Sequence, residues 1–72
     1  MIKISVTLKK GNKLEFDDVT CVQVGTKIFD KYSGSDIANA PFDSNKDLTI
    51  TCSSGLHFIA AGTLELLTVQ EL

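Results

Sequence analysis

Seventy-two residues with a net charge of −2, 43% hydrophobic content and a mean hydropathy of +0.13 suffice for one small folded domain and exclude whole-chain disorder. A chain this short buries only about 60% of the surface its unfolded form exposes, so help from homo-oligomer formation is expected. No charged n-region precedes an apolar run and no stretch approaches the ~20 apolar residues of a membrane-spanning helix, so the sequence predicts a cytoplasmic protein with no membrane association.

Ile2, Ile4, Val6 and Leu8 alternate with Lys3, Ser5, Thr7 and Lys9, the period of a strand with one buried face. Lys10-Gly11-Asn12 supplies residues that tolerate positive φ in a hairpin turn, and Leu14 and Phe16 resume the alternation on the returning strand. Asp17-Asp18 breaks the pattern. Val19, Val22 and Val24 carry a third apolar segment, with Val19 out of phase with the other two.

The second strand-rich region begins at Leu48, where Leu48, Ile50 and Cys52 alternate with β-branched threonines. Ser53-Ser54-Gly55 predicts a turn, after which Leu56 and Phe58 alternate around His57. Ala60-Ala61-Gly62 interrupts, and Leu64, Leu67 and Val69 finish the chain. Leu56, Ile59, Ala60, Thr63, Leu64 and Leu67 also fall at helical spacing, but Gly62 in such a helix costs about 1 kcal/mol and the threonines favour strand.

These segments predict a mainly β fold: a small antiparallel meander of about six strands curling into an open barrel or roll, because curling hides strand edges. Residues 1–24 and 48–72 read as similar strand–hairpin–strand units within a single domain, separated by a 25–47 insert. Ile4, Val6, Leu8, Leu14, Phe16, Val22, Val24, Ile50, Cys52, Phe58, Leu67 and Val69 are expected inside. Leu66 and Leu72 point away from that core face and are candidates for a self-association strip along the last strand.

The chemistry-bearing residues are sparse. Cys21 and Cys52 lie in apolar runs and are expected as packing thiols rather than a bridge. With no CxxC and only His57, no metal centre or other cofactor is expected. His57 is expected on the exposed face of its strand, opposite in orientation to Cys21 and Cys52, which leaves the candidate nucleophiles without a base. Adjacent Asp17 and Asp18 point apart and serve a turn. Asp43-Ser44-Asn45-Lys46-Asp47 begins like a calcium loop, but Leu48 replaces its glycine and Ser54 its terminal glutamate, so a turn is expected instead. Lys3, Lys9, Lys10 and Lys13 give the first thirteen residues +4 and leave −6 on the remainder. With no arginine for bidentate contacts and an acidic total, nucleic acid is not the expected partner.

The run FDKYSGSDIANAPFDSNKD, residues 29 to 47, is neither strand nor helix in pattern. Ser35 or Asp36 is placed to cap a single helical turn over residues 36–40, which Pro41 stops. Loops of this length inside compact domains are uncommon and usually functional. Phe29 and Phe42 are expected to plug one end of the fold. Lys27, Tyr32, Ser33, Asp36, Asn39 and Asn45 are expected to make contacts, since tyrosine among small polar residues is the composition of a recognition surface.

TLKKGNKLEFDDVTCVQV, with DLTITCSSGLHFIAAGTLELLTVQEL after it, resembles short β-rich proteins of bacteriophages and prophages in Gram-positive bacteria. The resemblance covers residues 1 to 24 and 48 to 72. It implies a phage accessory protein, of the size of phage-encoded inhibitors of host defence, acting in the host cytoplasm. The leading expectation is therefore a non-enzymatic interaction protein that binds and inhibits a host protein through the 25–47 insert. The alternative is a small-molecule binder that sequesters a nucleotide signal at an oligomer interface, with Tyr32 stacking on the base and Lys27, Ser33 and Asn39 making polar contacts. A minor hydrolase ranks last.

Overall fold

The computed structural model describes residues 1–30, 37 and 40–72. Among them are seven strands: β1 (Ile2–Leu8), β2 (Lys13–Phe16), β3 (Cys21–Val24), β4 (Lys27–Asp30), β5 (Leu48–Cys52), β6 (Gly55–Ile59) and β7 (Leu64–Glu71). They form two antiparallel sheets, one of three strands in the order β2-β1-β7 and one of four in the order β4-β3-β5-β6. The fold is thus mainly β as expected. The two sheets do not close into a barrel, and the strand count exceeds the expected six because β4 opens the segment taken for an insert.

The alternation of Ile4 and Val6 with Ser5 and Thr7 puts both apolar residues of β1 at full burial. The chain reverses after Leu8 through a turn in which Gly11 adopts φ 93, its N–H donating to the Leu8 carbonyl at 2.8 Å. Phe16 ends β2 buried opposite Ile4. Asp18 then takes a φ of 52, a left-handed conformation that aspartate tolerates better than most side chains. That corner carries the chain from the first sheet to the second. It also resets the side-chain phase, which is why the out-of-step Val19 is completely buried while its N–H donates to the Ile2 carbonyl at 2.9 Å.

β3 and β4 are joined by the two-residue turn Gly25-Thr26, with Gly25 at φ 61 as a tight hairpin of this hand requires. Gly25 N–H donates to the Asp47 carbonyl at 2.9 Å, which ties this turn to the start of β5. β5 and β6 are likewise joined by two residues, Ser53-Ser54. The hairpin β1-β2 sits in the first sheet and sends β3 to the second. The hairpin β5-β6 sits in the second and sends β7 back to the first, so β3 pairs with β5 and β7 pairs with β1.

Most of the expected interior is found inside. Ile4, Val6, Phe16, Val22, Val24 and Ile50 are buried, and Leu8, Cys52, Leu67 and Val69 pack against them partly buried. Two expectations are corrected. Leu14 is 38% exposed, because it lies on an edge strand where no neighbour covers its outer side. Phe58 is 63% exposed, because β6 runs in the opposite phase. The two-residue turn fixes Cys52 opposite Gly55, so His57 falls opposite Ile50 and Ile59 opposite Leu48. Ile59 is therefore buried, and Leu56 and Phe58 face out.

The 25–47 segment also belongs partly to the core. Ile37 is 1% exposed, Ala40 is buried, and Phe29 and Phe42 pack against the cluster as the plugging role requires. Burying a large apolar side chain such as Ile37 contributes roughly 1.5–3 kcal/mol, a large share of the stability of so small a domain. Ala40 N–H donates to the Ile37 carbonyl at 3.1 Å, while the rest of the helical turn expected over residues 36–40 lies outside the described residues.

Candidate interaction surface

The inner faces of both sheets are spent on the core, which leaves the outer faces, the edges and the loops exposed. On the four-stranded sheet the registers place Ile28, Gln23, Thr49 and Phe58 in one row across β4, β3, β5 and β6. The next row is Asp30, Cys21, Thr51 and Leu56. Ile28, Leu56 and Phe58 are each at least 60% exposed. Asp30 is the single ionisable carboxylate in these two rows. Cys21 lies beside it, and burial together with the Asp30 charge pushes its thiol above the ordinary value. The two cysteines are free thiols, Cys21 on the outer face and Cys52 on the inner.

Two clefts border this face. A groove of about 430 Å³ runs where β2 and β6 come together, floored by Leu8, Leu14, Phe58 and Ile59, with Lys9 and Lys10 at its rim. Sequence patterning missed it, since Lys9 and Lys10 look like a solvated hairpin tip and Leu14 and Phe58 were expected inside. The second cleft, of about 570 Å³, lies against the 25–47 segment and is lined by Lys27, Lys46, Phe42 and Ser44 among others. Its floor is set by the turn at residues 43–47. Asp43 Oδ1 accepts from the Asn45 N–H at 2.9 Å, and Asp47 Oδ1 accepts from the Ala61 N–H at 2.8 Å. The Asp43 bond is the local bond of the expected turn, whereas the Asp47 bond reaches across to the chain after β6.

Of the contact residues expected from the sequence, Lys27 lines this second cleft and Asn45 is exposed on the turn beside it. Tyr32, Ser33, Asp36 and Asn39 lie outside the described residues. Leu66 and Leu72 are exposed, as expected, on β7 and just beyond it.

His57 is not where alternation put it. It is half-buried on the inner side of β6, its ring 4.9 Å from that of Phe16 and tilted by 49°. Its Nε2 shares a hydrogen bond of 2.8 Å with Ser54 Oγ, and Ser54 Oγ lies 3.2 Å from Cys52 Sγ. His57 and Cys52 therefore share a face, contrary to the expected opposition, and Ser54 does have a neighbouring base. This chain of contacts is confined to the end of the β5–β6 hairpin. Among the described residues no carboxylate bonds to the imidazole.

Among the described residues no helix is long and apolar enough to cross a membrane, and no group of three or more His, Cys, Asp or Glu side chains could hold a metal ion. No family model, no curated protein and no solved structure matches this chain.

Proposed function

We propose that this is a non-enzymatic interaction protein, which grips a partner protein with the outer face of its four-stranded sheet and the 25–47 segment that leaves that face through β4. The observation that carries the reading is the row Ile28–Gln23–Thr49–Phe58, with Leu56 beside it. Three large apolar side chains stand in solvent on one flat face, separated by short uncharged polar groups. Interfaces of this kind lose charge at the centre and gain aromatic and aliphatic anchors. The resemblance to phage proteins gives the reading its specific form, an accessory protein that occupies and inhibits a host defence protein.

The test is a capture experiment on lysate of a Gram-positive host, comparing wild type with the Ile28→Lys and Phe58→Lys variants and with Ser5→Lys on the opposite sheet. One host protein is expected to be retained by wild type and Ser5→Lys and lost from both face variants. Equal retention by all four proteins overturns the assignment to this face.

The second cleft favours one further reading. Two ammonium groups, Lys27 and Lys46, beside the Phe42 ring and Ser44 suit a small phosphorylated ligand with a flat base. A nucleotide released by heat denaturation and identified by mass spectrometry would move the assignment to ligand sequestration.

A further inference from the structure

β7 is the longest strand among the described residues and forms one edge of the three-stranded sheet. Its sequence, LELLTVQE, has neither lysine nor proline, the residues with which edge strands are commonly kept from pairing. Met1 and Leu72 exchange backbone hydrogen bonds, Leu72 N–H to the Met1 carbonyl at 2.8 Å and the Met1 amine to the Leu72 carbonyl at 3.3 Å. Antiparallel pairs alternate, so Gln70, Thr68 and Leu66 also turn their backbone groups toward β1. Glu71, Val69 and Leu67 then turn theirs to the free edge. Among the described residues no strand takes them up.

We propose that this edge pairs antiparallel with β7 of a second copy, with Val69 opposite the partner's Val69. In that register the outward-pointing groups of Leu67 meet those of the partner's Glu71, and both three-stranded sheets merge into one continuous sheet. The apolar side chains of the outer face select it. Leu66 is 58% exposed, Leu72 72% and Met1 65%. Leu66 falls opposite the partner's Leu72, which already has Met1 beside it, so each half of the interface gains the row Thr7, Leu66, Leu72 of the partner and Met1 of the partner. Leu66 is solitary on a polar face in one copy; in two it has apolar neighbours.

Charge discriminates against the neighbouring register. Centring the pair on Thr68 brings Glu65 opposite the partner's Glu71 at both ends, a destabilising like-charge pair. Centring on Val69 puts Glu71 opposite Leu67 and leaves Glu65 past the end of the partner strand. A two-fold axis makes every contact occur twice, as an isologous dimer requires. Pairing also supplies the added buried surface that a chain of this size lacks.

Sedimentation equilibrium of the full chain tests the proposal, with circular dichroism checking that each variant keeps its strands. Wild type is expected at twice the 7.8 kDa of one chain. Leu66→Lys with Leu72→Lys places like charges opposite each other at both ends and is expected to halve that mass. Leu66→Lys with Leu72→Glu places each new lysine opposite a new glutamate of the partner and is expected to restore the doubled mass. Ser5→Lys, on the same face but on β1, is expected to leave the dimer intact. A wild type of single mass overturns the proposal. So does a double-lysine variant that remains dimeric, a lysine–glutamate variant that keeps its fold but not its partner, or a Ser5→Lys variant that dissociates.

Discussion

The two sheets share one core and present opposite kinds of outer face. On the three-stranded sheet that face carries Lys3, Ser5 and Thr7 of β1, Lys13 and Glu15 of β2, and Leu66, Thr68 and Gln70 of β7. Lys3 Nζ lies 3.6 Å from Glu15 Oε2, a surface pair worth about 0–1 kcal/mol that marks the face as wet. On the four-stranded sheet the same positions hold Ile28, Phe58, Leu56, Cys21, Gln23 and two threonines, with Asp30 alone as a charge. A sheet whose inner side is already filled gains nothing for its own folding from exposed Phe58 or Ile28. The difference separates a charged, wet face from an apolar one, and the proposed contact surface is the second. On the charged face only the free margin at β7 carries exposed leucine.

Separating the inner from the outer side of the four-stranded sheet should give the largest effect. Ile50→Ala removes a fully buried side chain beside Val22 and should cost about 2–5 kcal/mol, enough to unfold much of so small a domain. Phe58→Lys, on the neighbouring strand but facing out, should change stability by about 0.5 kcal/mol or less. Urea melts of the two variants measure both quantities. A large loss for Phe58→Lys would mean that the outer row holds the fold together and would remove the main support for a contact face.

Next in size is the turn that presents Ile28. Gly25→Ala forces a side chain into a left-handed conformation and brings its Cβ within 3.2 Å of Lys46 Cδ, a flexible neighbour that can move aside. The backbone term remains, so a cost of about 1–2 kcal/mol is expected in the same melts. Because Gly25 N–H also holds the Asp47 carbonyl, amide exchange should quicken at the β3–β4 hairpin and at the start of β5 together. Exchange confined to β4 would show that this strand is an appendage rather than part of the sheet.

Much of this architecture was legible in the chain, and the failures have physical causes. The alternation named Ile4 and Val6 in β1, Phe16 in β2 and Ile50 in β5 as buried because each strand has one apolar and one polar face, but it also named Leu14, which the sheet edge leaves exposed, and it passed over Leu48 and Leu64. β4 was missed because Lys27-Ile28-Phe29-Asp30 places its two apolar residues side by side, one for each face, which is no alternation at all. The glycine at position 25 and the short connection to Lys27 were the signal that could have found it. β6 was read in the wrong phase because Leu56 and Phe58 on one face compete with His57 and Ile59 on the other. Counting pairs back from the Ser53-Ser54 turn to the inward Ile50 settles the phase without the structure. The contact residues were less legible still, since an outer face is defined by registers between strands far apart in sequence. Ile28 and Phe58 share a row only because β3 and β5 lie between them.

The smallest effect concerns Asp30, the one carboxylate on the uncharged face. Cys21 is its cross-strand partner, and the thiol is held above its ordinary value of 9.0 first by burial and then by the negative charge of Asp30. Asp30→Asn removes the second cause and leaves the first. Thiolate forms as pH rises through the thiol pKa, so the variant should alkylate Cys21 sooner on a rising pH series than the parent. Its midpoint should still lie above 9.0, because the side chain remains half-buried. Iodoacetamide labelling in a Cys52→Ser background reads Cys21 alone. If the midpoint moves, the field of Asp30 reaches Cys21 across the row. If it does not move, burial alone sets the thiol.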